Sequence, residues 1–275
     1  MIHVEYVWKS YDGLDLFGQS WKPEGNIRGI ICLVHGLGDH SSRYTHWAEK
    51  LVQENFAVLA FDYRGHGKSQ GKRGHCSDYQ NYMDDISVLI NQAEIIFPGI
   101  PKVIYGHSLG GNLVLNYMLK RTPLVYGAII TSPWIELSFQ PPKAKILAGK
   151  IVRMVAPGFS MDTNLKSEDL SSKNEIAEHY EKDSLVHGKI TASNFLNILT
   201  AGEYILSNAD QTYVQILLLH GKEDKITSYK ASEKFANSAG DFVTLKLYDG
   251  MYHELHNEQN NEIVFQDILD WLSAL

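Results

Sequence analysis

Cysteine is scarce in this chain, with only Cys32 and Cys76 among 275 residues. The first lies in an apolar run and the second in a polar stretch, so no disulfide framework is expected and both thiols should stay reduced. Concentrated positive charge is missing as well. The formal net charge is −7 and no long Lys/Arg run occurs, which argues against the phosphate-neutralising surface of a nucleic-acid binder. No uncharged apolar stretch reaches the roughly 18 residues that a transmembrane helix requires. The opening residues, MIHVEYVWKSYDG, lack the charged and apolar regions of a secretory signal, and a cytoplasmic location is expected.

What the chain does have is a regular alternation of apolar runs and helix-period segments. Residues 2–8 and 14–22 flank YDGLD as a hairpin. There follow GIICLV (29–34), FAVLAFD (56–62), KVIYGH (102–107), GAIITS (127–132), VQILLLHG (214–221) and VTLKLYDG (243–250). Amphipathic segments at 43–54, 79–97, 109–121, 229–239 and 259–274 separate most of them. This order predicts an α/β fold with a mostly parallel central sheet flanked by helices, its functional groups gathered at the C-terminal ends of the strands. One connection, of about 80 residues, is far longer than an ordinary loop. Its helical stripes, at 143–159 and 191–206, predict a helical cap or lid at 133–213, inserted into a core made of 1–132 and 214–275.

Ser108 stands at the joint between KVIYGH and the helix that follows. A serine there can cap the helix. Gly106 and Gly110, however, complete G-x-S-x-G, in which a nucleophilic serine occupies a strained strand-to-helix turn too tight for larger neighbours. A serine hydroxyl needs a base, and the base needs a carboxylate to orient it, in the chain order Ser, Asp or Glu, His. Asp224 follows one apolar run, with adjacent Glu223 as its rival. His253 follows the next, with His256, read as a solvated side chain near the last helix, as its rival. Two N–H donors for the developing oxyanion are expected from Leu109 and from Leu37, the latter in VHGLGDH, where Gly36 and Gly38 let the backbone curl. His35 and His40 read as structural imidazoles bonded within that loop, and His107 as pointing beneath the sheet edge.

Three motifs imitate other chemistries. GLGDHS begins like a dinucleotide fingerprint, with Asp62 ending the next strand as a ribose-binding acid would, but Ser41 replaces the third glycine. RGHGKS imitates a phosphate loop through Gly67, Lys68 and Ser69, yet Asp62 stands where its first glycine belongs. HELH at 253–256 lacks the i, i+4 histidine pair of a zinc protease helix, so no metal site is predicted.

The segments HGLGDHSSRY (35–44), FDYRGHGKSQG (61–71), GHSLGG (106–111), HGKEDKI (220–226), YDGMYHELHNE (248–258), KILAGKIVRMVAP and DSLV (183–186) resemble the monoacylglycerol lipase and lysophospholipase family of α/β-hydrolase serine hydrolases. The likeness runs nearly end to end. It implies a Ser108–Asp224–His253 triad, Leu37 and Leu109 as oxyanion donors, and no cofactor. Leu37 stands where that family usually has alanine, and Ser184 where it usually has the proline of a D-P-L turn.

The expected activity is therefore hydrolysis of a lipid-like monoester, a monoacylglycerol or lysophospholipid, through an acyl-enzyme. The alternatives are a short-chain esterase or acyltransferase with the same triad, or a catalytically silent ligand-binding protein on this fold. In the cap, Ile146, Leu147, Ile151, Met154 and Val155 form an apolar band with Lys143, Lys145, Lys150 and Arg153 largely off it. The band either packs over the core and roofs the acyl tunnel or rests transiently on a membrane surface. Nothing in the sequence specifies an oligomeric state.

Overall fold

An antiparallel hairpin opens the chain in this computed structural model, which describes residues 1–275. Strand β1 (Ile2–Lys9) pairs with β2 (Asp15–Lys22), and Gly13 takes φ +88° in the turn between them. Every residue of β3 (Gly29–Val34) and β4 (Phe56–Phe61) is buried, as continuous apolar runs require of strands covered on both faces. Helix α1 (Thr45–Gln53) connects these two strands. Helix α2 (Gln80–Ile96) leads to β5 (Lys102–His107), and α3 (Leu109–Arg121) leads to β6 (Gly127–Thr131).

The long connection then supplies α4 (Lys143–Val155), β7 (Ser160–Asp162), α5 (Asn174–Lys182), β8 (Lys189–Thr191) and α6 (Ala192–Ser207). The chain returns to the sheet through β9 (Gln215–Gly221), α7 (Tyr229–Ala239) and β10 (Val243–Tyr248), and ends in α8 (Asn261–Ala274). The sheet has eight strands in the order β1-β2-β4-β3-β5-β6-β9-β10. From β4 to β10 each neighbouring pair is parallel. This is the α/β-hydrolase fold.

Side chains alternate between the sheet's two faces, so each strand feeds two apolar layers. Ile30, Cys32 and Val34 join a cluster of 39 buried residues with side chains of α2, α3, α6 and α7. Ile31 and Leu33 join a cluster of 22 with side chains of α1 and α8. Each fully buried aliphatic or aromatic side chain contributes about 1.5–3 kcal/mol. Both cysteines are buried and free.

The long connection differs from the cap expected from the sequence in three ways. First, α4 stops at Val155, because Ala156 precedes Pro157 and leaves the helical region at φ −151°, ψ 67°. Second, β7 and β8 pair antiparallel, and three-residue strands are too short to carry a readable period. Third, α6 belongs to the main core through Ile198, Ala201 and Ile205, whereas α4 and α5 bury no residue. The half-buried residues of α4 are Ile146, Gly149 and Val152, and a Cβ on Gly149 would meet Leu196 of α6. Of the apolar band read from the sequence, only Ile146 is half-buried. Leu147, Ile151, Met154 and Val155 are 61, 57, 85 and 78% exposed, so they do not roof the core.

Candidate active site

Ser108 lies between β5 and α3 with φ 54° and ψ −117°, a conformation that costs a non-glycine residue energy. Its hydroxyl does not cap the helix, so the capping explanation for a serine here fails. The backbone is pinned instead. Its N–H donates to Thr131 O at 3.0 Å, and its carbonyl accepts from the N–H groups of Asn112 and Trp134 at 3.1 and 2.9 Å. The flanking glycines permit the close approach that creates the turn. A Cβ on Gly106 would fall 2.6 Å from Gly110 O, and one on Gly110 would overlap the Val34 carbonyl.

Asp224 and His253 sit in the loops after β9 and β10, and both are buried. His253 Nδ1 donates to Asp224 Oδ2 at 2.7 Å. The same oxygen accepts from His220 Nε2 at 3.0 Å and lies 2.8 Å from Thr227 Oγ1, while Oδ1 accepts the Ile226 and Thr227 N–H groups at 2.7 and 2.9 Å. Burial alone would raise the Asp224 carboxyl, but the two imidazoles outweigh it and hold the group well below the usual carboxylate range. Burial alone would lower the His253 imidazole, and the Asp224 carboxylate reverses that, holding it above its ordinary value. Both hydrogen bonds of the His253 ring run through Nδ1, which leaves Nε2 without a partner.

The segments that carry Ser108 and His253 both attach to the end of β6. Ser132, at φ 45°, donates its hydroxyl to the His253 carbonyl at 2.8 Å, and its neighbour Thr131 receives the Ser108 N–H. The ring of His107, one residue before Ser108, lies 4.8 Å from the His253 ring. Gly36 is equally close, since a Cβ there would sit 3.3 Å from Ser108 Cβ. Leu37 follows Gly36, and Leu109 is the first residue of α3, where N–H groups lack helical acceptors.

Several sequence readings change. His256 is fully buried rather than solvated, stacked on Tyr44 at 4.6 Å, and burial holds it well below its ordinary pKa. His107 belongs to a central strand, not to an edge. Its Nδ1 pairs with Thr131 Oγ1, and burial pulls its pKa down to about 3. His35 does bond within its loop, to Gly36 O, but His40 reaches out of it to Asp183 at 2.9 Å. Glu223 is exposed. Asp62 is spent on its own loops, accepting the Ser41 N–H and hydroxyl and the Lys68 N–H.

Sequence reasoning missed His220, Thr227 and Ser132, and also an ion pair that joins two loops of the site. The Arg43 guanidinium grips Glu254 with two bonds of 2.8 Å and Asp39 with one of 3.0 Å, all three groups being nearly inaccessible to solvent. Arg43 follows the Gly36–Leu37 loop and Glu254 adjoins His253, so one side chain ties those segments together. The only signal for His220 was its H-x-x-x-D spacing to Asp224 across a turn. No group of three or more His, Cys, Asp or Glu side chains is placed to hold a metal ion. No helix is long and apolar enough to cross a membrane.

This sheet, this elbow and the two loops beside it define an α/β-hydrolase of the serine type. The family model described as serine aminopeptidase, S33 matches residues 25–260. A monoacylglycerol lipase of Mycolicibacterium smegmatis is 30% identical over 98% of this chain and 96% of its own length. An uncharacterized abhydrolase domain-containing protein of Dictyostelium discoideum is 35% identical across 92% of this chain, which spans 27% of that longer protein. Among solved structures, the monoacylglycerol lipase of Paleococcus ferrophilus superposes with a TM-score of 0.86 at 31% identity, over 94% of this chain and 98% of the other. The chain belongs to this S33 family of serine hydrolases, together with the monoacylglycerol lipases. It is a serine ester hydrolase.

Proposed function

We propose that the protein cleaves lipid-like monoesters, monoacylglycerols or lysophospholipids, through an acyl-enzyme on Ser108. The observation that carries this reading is the buried 2.7 Å bond from His253 to Asp224 beside a strained serine elbow. Ser108 Oγ attacks the ester carbonyl carbon while His253 Nε2 takes its proton. Asp224 fixes the Nδ1–H tautomer and stabilises the imidazolium. The N–H groups of Leu37 and Leu109 hold the oxyanion. As the tetrahedral intermediate collapses, the proton passes from His253 to the departing alcohol. Water then gives a proton to His253 and attacks the acyl-serine, and the fatty acid leaves as Ser108 regains its hydrogen.

The preference for a lipid ester is supported by the outer face of α4. The part of segment 133–213 that precedes α6 acts as a lid over the core, and α4 lies on a membrane or micelle surface with Leu147, Ile151, Met154 and Val155 dipped into it. The helix carries four cations, Lys143, Lys145, Lys150 and Arg153, and no acid, each cation adding about 1 kcal/mol of attraction to anionic lipid. The protein thus works at the cytoplasmic face of a membrane as a peripheral enzyme.

The test is a rate series across acyl lengths with glycerol and phosphocholine head groups compared. Long-chain monoesters should give the highest kcat/KM. A maximum at acetyl or butyryl esters, with no gain on lengthening, would instead establish a short-chain esterase.

A further inference from the structure

The geometry points to Tyr63 as a positioning residue that aims the Leu37 N–H at the oxyanion by clamping the carbonyl on the other side of the same peptide. This rests on the reading of Leu37 as an oxyanion donor. A trans peptide presents its C=O and its N–H on opposite sides of one rigid plane, and the chain contains no cis bond. Fixing the Gly36 carbonyl therefore fixes the direction of the Leu37 N–H.

Two donors hold that carbonyl. Tyr63 Oη–H donates to Gly36 O at 2.7 Å, and His35 Nδ1 lies 2.8 Å from the same oxygen. A carbonyl only accepts, so His35 carries its proton on Nδ1, and Nε2 is left buried without a partner. Burial lowers the His35 pKa, which keeps the ring neutral in that tautomer. Burial likewise raises the Tyr63 hydroxyl well above its ordinary pKa, so it remains a donor.

The Tyr63 ring has no freedom to swing away. It is fully buried, stacked on His35 at 4.2 Å, tilted against His66 at 4.3 Å and edge-on to Tyr82 at 5.3 Å. On the far side of the peptide the Leu37 N–H makes no backbone hydrogen bond. The loop needs such a clamp because it contains two glycines, Gly36 and the left-handed Gly38 at φ +73°, and glycine backbones are the easiest to rotate. A rotated peptide would present a carbonyl to the developing negative charge.

Tyr63→Phe tests this, since it deletes one oxygen and keeps the ring. The informative readout is the ratio of kcat on an ester to kcat on the matching thionoester. Thiocarbonyl sulfur is a poor hydrogen-bond acceptor, so this ratio reports the oxyanion contacts independently of the folded fraction. We expect the ester rate to drop about tenfold or more, short of the 10²–10³ lost when a donor is deleted outright. KM should change little, the ester-to-thionoester ratio should fall, and affinity for an alkyl trifluoromethyl ketone should fall in step with kcat/KM. The variant with both Tyr63→Phe and His35→Gln should lose more.

An unchanged ratio and ketone affinity in Tyr63→Phe would overturn the inference, leaving the hydroxyl as a satisfied core group. Leu37→Pro, which removes the N–H itself, separates this failure from that of the parent reading. If folded Leu37→Pro keeps full ketone affinity, Leu37 is not a donor. If it loses affinity while Tyr63→Phe does not, the clamp alone is wrong.

Discussion

His253 Nδ1 and His220 Nε2 converge on one atom, Asp224 Oδ2, from 2.7 and 3.0 Å. The negative charge of Asp224 is therefore divided between His253 and a second, fully buried imidazole, itself anchored by Ser232 at 2.8 Å. Removing His220 concentrates that charge on His253. His220→Leu should move the acid limb of kcat/KM to higher pH and lower Tm, since a buried acceptor loses its donor at a cost of about 1–3 kcal/mol. His220→Gln, which keeps an N–H, should move the limb less. A pH–rate profile of the three proteins decides it, and an unmoved limb in His220→Leu would show that His220 only fills space.

Under the proposed mechanism, His253 must be neutral to accept the Ser108 proton. Its pKa is held above the ordinary value of about 6.5, so protonation, and with it loss of activity, begins at a higher pH than for a free imidazole. The acid limb of kcat/KM should therefore have its midpoint above about 6.5. A midpoint below that value would contradict the Asp224–His253 arrangement.

Ser108→Ala should abolish ester hydrolysis and labelling by a fluorophosphonate while leaving Tm nearly unchanged. His253→Ala and Asp224→Ala should each cost several orders of magnitude in kcat. Glu223→Ala, at an exposed position, should cost little. His256→Ala should leave the chemistry of the folded fraction intact yet destabilise by roughly 3 kcal/mol, because it empties a buried aromatic site. Assaying each variant beside its melting curve separates these classes.

Arg43→Met leaves the Glu254 and Asp39 carboxylates buried without their cation, and should cost about 3–5 kcal/mol. The double variant with Arg43→Met and Glu254→Leu should recover the share of that loss due to Glu254, while Asp39 stays without its cation. Chemical denaturation of the two singles and the double measures the coupling, and simple additivity would show that the pair does not act as a unit.

Replacing Lys143, Lys145 and Lys150 with glutamate should weaken sedimentation with anionic vesicles and slow hydrolysis of a long-chain monoacylglycerol while sparing a soluble short-chain ester. Equal losses on both substrates would mean that the segment had been destabilised, and unchanged vesicle binding would rule out docking through α4.

The legible parts of this protein are those whose causes are local. A run such as GIICLV must be a strand buried on both faces, and Gly-x-Ser-x-Gly encodes a backbone constraint within five residues. Asp224 and His253 were found because each follows such a run, and the structure brings them together. The sequence hides the partner of His40, because Asp183 is 143 residues away. The Arg43–Glu254 pair, 211 residues apart, left no trace for the same reason. His256 looked like a surface residue because polarity near a helix start usually means solvent, and only the packing of Tyr44 and Trp47 around it shows otherwise. For α4 the period gave the apolar band, but a helix pattern does not say which side a neighbour will cover.

The order of the site's parts along the chain also sets when it can act. Ser108 and the Gly36–Leu37 loop are synthesised before the long connection, and Asp224 and His253 only after it. Under the proposed mechanism, a nascent chain halted anywhere within residues 133–213 has Ser108 but no His253 to activate it and no Arg43–Glu254 brace. The proposed triad is thus completed only when β9 and β10 have joined the sheet, after α4 has left the ribosome.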